Sequence, residues 1–398
     1  MSASVSSHSN SNSSSPERKC LGGLMKDIED DYPREDSKDE TAYKTLSEQK
    51  LSLDSIYPYE KPGTKLNKNN QEINPIFNIN MIISAFNSQK TTIILQKSLN
   101  EMSKENLDLI IKEMKGYFSA IIKNKNGNYF VSDLLKVCSK EQRIEILKEL
   151  GKNINDDCID EYGTHPIQTL IELAKSEDEY KLLLYYFNDF NKILKATLNQ
   201  NGTYVIQKLI VHIPEKNRMD FNLIFVKFIC ILAMDMYGVC TAIKFINYTR
   251  HELIEKILLN IILTNFVSIA ENQYGNYLIQ NIMEKWWNTN KGIFLKKICM
   301  EKFHKLARNH YSSYVCDIFL KLSNLQDKKL LMTMLINGKT IGSFDNNNCG
   351  KIIMHKLING LKQQNIKSND NNTFKNNKGF KNNKKENSVI SKNEENKK

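Results

Sequence analysis

The sequence contains no run of about 18 uncharged apolar residues, the length that a membrane-spanning helix needs. Its opening, residues 1–15, is rich in serine and lacks the apolar stretch of a signal peptide. We therefore expect an intracellular, soluble protein that does not bind membranes.

Metal-binding patterns are also missing. The eight cysteines include no CxxC pair, and the seven histidines make no regular ligand spacing with them. This pattern argues against a zinc site and predicts thiols that are buried or partly buried in the fold. We expect neither a metal nor another cofactor.

Catalytic motifs are absent as well. The chain has no Gly-x-Ser-x-Gly elbow and no His-Glu-x-x-His motif. Gly338-Lys339-Thr340 resembles the end of a phosphate-binding loop. However, Thr333 stands where the upstream glycine is required, and no strand precedes it. The sequence therefore predicts a protein that is not an enzyme.

Composition divides the chain into three parts. Residues 1–75 contain an acidic patch and carry a net charge of −3, whereas residues 362–398 form a polar tail rich in Asn and Lys. Both ends have little apolar periodicity, so we predict that they are disordered. Residues 76–361, the predicted folded domain, carry a net charge of +8 out of +11 for the chain, which favours a polyanionic partner.

A short cassette recurs along this folded domain. It consists of a small residue, a polar residue, an aromatic residue, two apolar residues and a polar residue, and Gly275 to Gln280 is a clear copy. We count positions from the glycine or its substitute. The first positions are Thr92, Asn128, Thr164, Thr203, Val239, Asn276, Ser313 and Gly350, at steps of 36 to 39 residues. A constant period in this range predicts a solenoid whose repeats bury their apolar faces against one another.

Apolar spacing within a repeat is helical. Tyr277, Leu278 and Ile279 continue to Ile282 and Met283, and a second apolar stretch follows a polar turn. Strand-like alternation is absent. The sequence therefore predicts an all-α, right-handed superhelix.

The cassette, its period and its eight copies resemble the Pumilio (PUF) family of RNA-binding repeats, over roughly Phe77 to Leu361. The resemblance implies a right-handed superhelical solenoid of eight three-helix repeats, and hence a short third helix in each repeat. It also implies that each repeat contacts one RNA base. The first and fifth positions would contact the base edge, and the second position would stack on the base.

Carried over residue by residue, the resemblance implies two sets of contacts. The base-edge residues are Thr92, Gln96, Asn128, Ser132, Thr164, Gln168, Thr203, Gln207, Asn276, Gln280, Ser313 and Asp317. The stacking rings are Tyr129, His165, Tyr204, Tyr277 and Tyr314. The first, fifth and eighth repeats depart from the pattern because their second positions are Ile93, Cys240 and Lys351.

The edge pairs imply a base preference. Asn276 with Gln280 resembles the uracil pair of the family, and Ser313 with Asp317 resembles its Ser/Glu guanine pair. The Thr/Gln pairs resemble pairs that favour adenine, whereas Asn128 with Ser132 keeps half of a uracil pair. Val239 and Ile243 in the fifth repeat offer no strong hydrogen bond, and neither do Gly350 and Met354 in the eighth. Because the family binds RNA in the antiparallel direction, the implied site contains G-U followed by an A/U-rich stretch.

The resemblance implies a monomeric, cytoplasmic protein that binds single-stranded RNA at UGU-containing elements in mRNA 3′ untranslated regions. It further implies repression of translation or promotion of decay through recruited partners, such as a deadenylase complex. One alternative is a nucleolar Pumilio-like protein that binds ribosomal RNA in ribosome biogenesis. The other is a helical-repeat scaffold that binds proteins, although armadillo and HEAT repeats have periods of about 40–47 residues.

Overall fold

A computed structural model describes residues 79–362, nearly all of the predicted folded domain at residues 76–361. The terminal regions predicted to be disordered, residues 1–75 and residues 362–398, lie outside the described residues except for Lys362. Every regular element in residues 79–362 is a helix, which confirms the all-α prediction. None of these helices is long and apolar enough to cross a membrane.

The described residues divide into two compact parts, here called the N-terminal half (residues 79–258) and the C-terminal half (residues 259–362). The N-terminal half contains α1 (Ile79–Ala85), α2 (Gln89–Leu99), α3 (Lys104–Met114), α4 (Phe118–Ile122), α5 (Gly127–Val137), α6 (Lys140–Gly151), α7 (Ile154–Asp157), α8 (Thr164–Leu173), α9 (Glu177–Tyr186), α10 (Phe190–Thr197), α11 (Gly202–His212), α12 (Met219–Phe225), a 3-10 turn (Val226–Phe228), α13 (Ile229–Ala233) and α14 (Gly238–Tyr248). Helix α15 (Glu252–Thr264) begins in this half and ends in the next.

The C-terminal half continues the pattern. It contains α16 (Phe266–Ala270), α17 (Gly275–Trp286), α18 (Asn290–Leu306), α19 (Ser312–Leu322), α20 (Leu325–Asn337), a 3-10 turn (Ile341–Phe344) and a final helix, α21, over residues 348–362.

A repeat consists of a short helix, a helix that carries the cassette and a longer helix. The succession α4, α5 and α6 shows this order, and α16, α17 and α18 show it again in the C-terminal half. The structure thus confirms the three-helix repeat that the resemblance implied. Helix α18 is longer than its counterparts because it runs into the segment that forms the short helix elsewhere.

The cassette helices pack side by side. In the N-terminal half α2, α5, α8, α11 and α14 contact one another in that order, and in the C-terminal half α17 contacts α19. The third and fourth positions of each cassette point into the core, as Leu278 and Ile279 do with no exposed surface. Burying one such side chain contributes roughly 1.5–3 kcal/mol. Because neighbouring repeats supply much of this burial, a repeat depends on its neighbours for stability.

Polar caps start several of the longer helices. Ser139 accepts a hydrogen bond from the backbone of Gln142, whose side chain bonds back to Ser139. Ser176 and Glu179 form the same capping box at α9. Such caps satisfy backbone N–H groups that a helix leaves without partners at its first turn. They set where each longer helix begins and therefore where the preceding cassette helix ends.

An Asn or Asp side chain holds the loop in front of the cassette helices of the second to the seventh repeats. Its oxygen accepts hydrogen bonds from the backbone N–H groups two and three residues later, as in an Asx turn. The residues that do this are Asn124, Asp160, Asn199, Asp235, Asn272 and Asn309, at distances of 2.7–3.1 Å. These residues were not among those predicted, although each stands three residues before the cassette glycine or, for Asn309, before Ser312 in its place.

The cassette glycine allows the helix to approach a backbone carbonyl closely. A Cβ atom at Gly275 would lie 2.3 Å from the carbonyl oxygen of Ile269, and one at Gly127 would lie 2.5 Å from that of Ile121. Where the glycine is replaced, a hydroxyl group bonds to the equivalent carbonyl. Ser312 Oγ donates to Leu306 over 2.7 Å, and the Thr91 hydroxyl donates to Ala85.

The eighth repeat corrects one prediction. Asn347 Oδ1 accepts from the N–H of Gly350 over 2.8 Å, the bond that other Asx residues make to the cassette glycine. Gly350 also lies against Phe344, six residues earlier. Gly350 is therefore the glycine itself, and the prediction that it occupies the first position was wrong by one residue. The first, second and fifth positions are Lys351, Ile352 and His355, because Ile353 and Met354 are buried.

Candidate nucleic-acid interface

Aromatic rings at the second position line the cassette helices. The side chain of Tyr129 is 61% exposed and that of Tyr204 is 37% exposed, and His165 is exposed between them in the sequence. Tyr277 and Tyr314 in the C-terminal half are partly buried. A planar ring held on a rigid helix can stack against a nucleobase with little loss of side-chain entropy. Three of the five predicted stacking rings are therefore open to solvent in the free protein.

The Asn and Thr side chains at the first position are buried, and each donates to a loop carbonyl of its own repeat or of the following repeat. Asn276 Nδ2 donates to the carbonyl oxygens of Asn272 and Gln273, over 3.1 and 2.8 Å. Asn128 donates in the same way to Asn124 and Lys125. Thr92, Thr164 and Thr203 are at most 3% exposed. Each Asn has thus committed its NH₂ group, which leaves only its oxygen as a possible contact.

The first and fifth positions form preassembled pairs in two repeats. Gln280 Nε2 donates to Asn276 Oδ1 over 2.9 Å, and Gln168 Nε2 donates to the hydroxyl oxygen of Thr164 over 3.1 Å. Gln280 and Gln168 are partly exposed. The bond fixes the orientation of each carboxamide, so its oxygen and one remaining N–H are held ready to contact a ligand.

In the second repeat the two predicted edge residues are joined differently. Ser132 Oγ donates to the backbone oxygen of Asn128 over 2.9 Å. The side-chain oxygen Asn128 Oδ1 is buried and has no hydrogen-bond partner in the part of the chain that the structure describes. This repeat therefore offers Tyr129 as its main accessible group.

The fourth repeat holds its pair in a closed cluster. Gln207 is only 6% exposed, and its Nε2 lies within hydrogen-bonding distance of the hydroxyls of Thr203 and Thr241, at 3.3 and 3.2 Å. The two hydroxyl oxygens lie 2.6 Å apart. Thr241 was not predicted as a site residue, although the third position is apolar in the neighbouring repeats, where Val205 and Leu278 occupy it. A polar residue at that position was the available signal.

The fifth repeat exposes no side chain at the positions that the family pattern assigns to base contact. Val239, Cys240 and Ile243, at its first, second and fifth positions, are all at most 1% exposed. This burial agrees with the expectation that these side chains offer no strong hydrogen bonds to a base.

Two further fifth-position residues, besides Gln207, bond to the next repeat. Gln96 Nε2 donates to Asp133, and Asp317 Oδ1 accepts from Lys356 Nζ over 2.6 Å. Both partners occupy the sixth position of the following repeat. The sequence analysis identified neither partner, because a single repeat gives no indication of contacts with its neighbour.

Asp317 is surrounded by positive charge. Its second oxygen, Oδ2, lies 3.0 Å from Lys321 Nζ, one turn further along α19. Burial acts to raise the pKa of Asp317, but hydrogen bonds from Lys356 and Lys321 outweigh it and hold the pKa below its ordinary value. The carboxylate is therefore ionised and accepts hydrogen bonds at neutral pH. Ser313, its predicted partner, donates to the carbonyl oxygen of His310 over 2.7 Å.

The seven thiols among residues 79–362 are buried or partly buried, as predicted. Cys138, Cys158, Cys240, Cys299 and Cys316 are buried, whereas Cys230 and Cys349 are partly exposed. Burial raises the pKa of the Cys138 and Cys158 thiols to about 12, so both are protonated at neutral pH. Among residues 79–362 no group of three His, Cys, Asp or Glu side chains is arranged to hold a metal ion.

Comparison with known families matches three segments of the chain. Residues 117–150, 197–220 and 265–286 match the model of the Pumilio-family RNA binding repeat. These segments include the cassettes of the second, fourth and sixth repeats, with Tyr129, Tyr204 and Tyr277.

Curated relatives are similar to part of this chain. Pumilio homolog 12 of Arabidopsis thaliana is 26% identical over 249 residues, which cover 61% of this chain and 41% of that protein. Suppressor protein MPT5 of Saccharomyces cerevisiae is 27% identical over 199 residues, 48% of this chain and 23% of that protein. The chain thus spans less than half of the length of either relative.

Solved structures share the fold. The Puf4 RNA binding domain, bound to an HO endonuclease RNA 3′ UTR recognition sequence, superposes with a TM-score of 0.63 at 20% identity. The match covers 74% of this chain and 90% of that one. PUF-8 in complex with PBE-RNA gives a TM-score of 0.60 at 16% identity and covers 81% of this chain and 88% of that one. The family and its relatives are RNA-binding repeat proteins rather than enzymes. The matched segments, the curated relatives and the shared helical fold together support a Pumilio-family RNA-binding repeat protein.

Proposed function

We propose that this chain binds single-stranded RNA along its cassette helices and recognises UGU-containing elements in the 3′ untranslated regions of cytoplasmic messages. The observation that carries the proposal is the combination, within one repeat, of a ring and an oriented carboxamide. In the sixth repeat Tyr277 stands beside Gln280, whose amide is fixed by Asn276 over 2.9 Å. A ring binds any base by stacking, whereas a fixed amide distinguishes one base edge from another.

The sixth and seventh repeats supply the specific part of the proposed site. The Asn276 and Gln280 pair suits uracil, because the fixed carboxamide can both donate to and accept from its edge. Asp317 suits guanine, because an ionised carboxylate accepts from the two N–H donors of that base. With RNA running antiparallel to the chain, guanine at the seventh repeat precedes uracil at the sixth, which gives the G-U step.

The relatives support an RNA ligand of this class. The Puf4 structure contains an RNA 3′ UTR recognition sequence, and yeast Puf5p has been solved with SMX2 RNA. Their fold is shared with this chain at about 20% identity, so the ligand of this chain is our proposal.

Fluorescence anisotropy of the full chain tests the proposal. The two labelled RNAs contain UGUA or ACAA in otherwise identical flanks, and each is titrated at two salt concentrations. We expect binding to the UGUA RNA to be at least about a hundredfold tighter, which is within the range of specific nucleic-acid recognition. Equal, steeply salt-dependent binding to both would favour the ribosomal-RNA alternative. No binding to either would favour a protein-binding scaffold.

The regulatory part of the proposal is that the bound chain represses translation or promotes decay through recruited partners, such as a deadenylase complex. Tethering the full chain to a reporter message through an unrelated RNA-binding domain tests this without the RNA site. We expect lower reporter protein or a shorter poly(A) tail than with the tether alone. An unchanged reporter would contradict recruitment and leave the RNA-binding proposal standing.

A further inference from the structure

Lys356 connects the eighth repeat to the fifth position of the seventh. Its ammonium group lies 2.6 Å from Asp317 Oδ1, and its side chain remains 47% exposed. Lys356 occupies the sixth position of its own repeat, counted from Gly350. It therefore reaches back to a residue that the family pattern assigns to one base of the neighbouring repeat.

The same relation occurs at the other end of the described chain. Gln96, the fifth position of the first repeat, donates to Asp133, the sixth position of the second repeat. Two independent pairs with different chemistry thus share one geometry. The sixth-position side chain of one repeat therefore lies close enough to contact a ligand bound by the fifth-position side chain of the repeat before it.

Helical spacing places Lys356 beside the proposed base site. Asp317 follows the ring of Tyr314 by three residues on α19, and Lys356 follows Ile352 by four residues on α21. Residues three or four apart share one face of a helix. A base held between the second positions of these two repeats would therefore meet Asp317 and Lys356 at the same edge. Lys321 lies four residues beyond Asp317, a further turn away from the ring.

Guanine offers chemistry that this pair complements. Its edge carries the acceptor O6 beside two donors, N1–H and the N2 amine. A carboxylate accepts but cannot donate, so Asp317 leaves O6 without a partner. An ammonium group has three N–H donors, and Lys356 uses one of them on Asp317.

We propose that Lys356 is a specificity-determining residue for the base at the seventh repeat, donating to O6 of guanine while Asp317 accepts from N1–H and N2–H. This inference rests on the proposed function. One base is then read by side chains of two adjacent repeats. Asp317 is one methylene shorter than the Glu of the family's guanine pair, and the donor on Lys356 adds a second contact to the base. In the free protein Lys356 also balances the negative charge of Asp317.

The test combines side-chain and base substitutions in one binding assay. The full chain, Lys356→Met and Lys321→Met are titrated with UGUA RNA that carries guanosine, 6-thioguanosine or inosine at the second base. Thiolation weakens the acceptor at position 6, and inosine removes only the N2 amine. The matched control is Lys321→Met, which also removes one ammonium group from Asp317 but should leave the O6 contact intact.

We expect the wild-type chain and Lys321→Met to bind 6-thioguanosine RNA about tenfold more weakly than guanosine RNA. Lys356→Met should bind guanosine RNA about tenfold more weakly than wild type does, with no further loss on thiolation. All three proteins should lose affinity with inosine, since Asp317 remains in place. An equal thiolation effect in Lys356→Met and wild type would overturn the inference while leaving RNA recognition intact. No preference of the wild type for UGUA RNA would overturn the proposed function, and this inference with it.

Discussion

The hydroxyl of Ser312 donates a 2.7 Å hydrogen bond to the carbonyl oxygen of Leu306, at the place where other repeats have a glycine. In four of those repeats the carbonyl approaches the glycine so closely that a Cβ atom would lie 2.3–2.5 Å from it, as Gly163 and Asp157 show. The position beside this carbonyl is thus occupied in one of two ways. It holds either a glycine, which has no side chain, or a residue whose hydroxyl group donates a hydrogen bond to the carbonyl. Thr91 in the first repeat is of the second kind.

The first prediction follows from this contact. Gly275→Ala should lower the free energy of unfolding by about 1–3 kcal/mol, because the carbonyl of Ile269 must move to admit the methyl group. Ser312→Gly should cost less, about 1 kcal/mol, because it removes a hydrogen bond without introducing a clash. Urea unfolding followed by circular dichroism measures both. A Gly275→Ala variant as stable as wild type would show that the close approach is not a constraint on the sequence.

Much of the fold is predictable from the sequence because the cassette is periodic. Apolar residues are buried at the fourth position of every repeat and at the third position of most repeats, so spacing alone locates the cassette helices. The register of the eighth repeat was wrong because Asn347, Asn348 and Cys349 give no aromatic or glycine signal before Gly350. The bond from Gly350 to Asn347 decides the register, and its significance becomes clear only once the other Asx loops are known.

Less of the interface was predictable. The resemblance names the first and fifth positions but does not show that Asn276 and Asn128 give their NH₂ groups to loop carbonyls. It also does not show which fifth position is closed. Gln207 and Gln280 occupy the same position of the cassette. Gln207 is buried and bonded to Thr241 of the next repeat, whereas Gln280 is partly exposed. Such differences in exposure depend on contacts between neighbouring repeats, which the spacing of residues within one repeat does not predict.

The second prediction uses this contrast between two glutamines. Gln280→Ala should weaken binding to UGUA RNA by about 1–3 kcal/mol and relax selection at one base only. Gln207→Ala should change base selection less and instead lower the stability of the protein by about 1 kcal/mol, because it removes buried hydrogen bonds to Thr203 and Thr241. Anisotropy with single-base RNA variants and urea unfolding separate the two effects. An equal loss on every RNA from Gln280→Ala would contradict base reading at that position.

The third prediction concerns stacking. Tyr129 is 61% exposed, so Tyr129→Ala should leave stability nearly unchanged. It should nevertheless weaken RNA binding by roughly 1–3 kcal/mol, the usual contribution of one stacked base. Tyr129→Phe keeps the ring and should bind as wild type does. If the Phe and Ala variants lost equal affinity, the hydroxyl rather than the ring would be the contact.

The fourth prediction concerns a buried carboxylate. Asp157 has no exposed side-chain surface and stands six residues before Gly163, where Ile269 and Leu306 occupy the equivalent positions. Lys123 Nζ lies 2.7 Å from its Oδ1, and Ser119 donates to the same oxygen. Its Oδ2 is buried without a hydrogen-bond partner in the described chain. Burial raises the pKa of Asp157, although Lys123 and Ser119 partly oppose the shift.

A raised pKa in the folded state makes stability fall as pH rises. Below the ordinary Asp pKa both states hold the proton, and the cost of burying the charge is absent. Above the raised pKa the folded protein must hold an ionised carboxylate in the core. The stability of wild type relative to Asp157→Asn should therefore decrease as the pH rises above about 3.9, the ordinary pKa of Asp, as measured by urea unfolding. Asp156→Asn, an exposed change on the same short helix, controls for the loss of one negative charge. If the difference between wild type and Asp157→Asn were constant or grew in favour of wild type, the ion pair with Lys123 would outweigh the cost of burial.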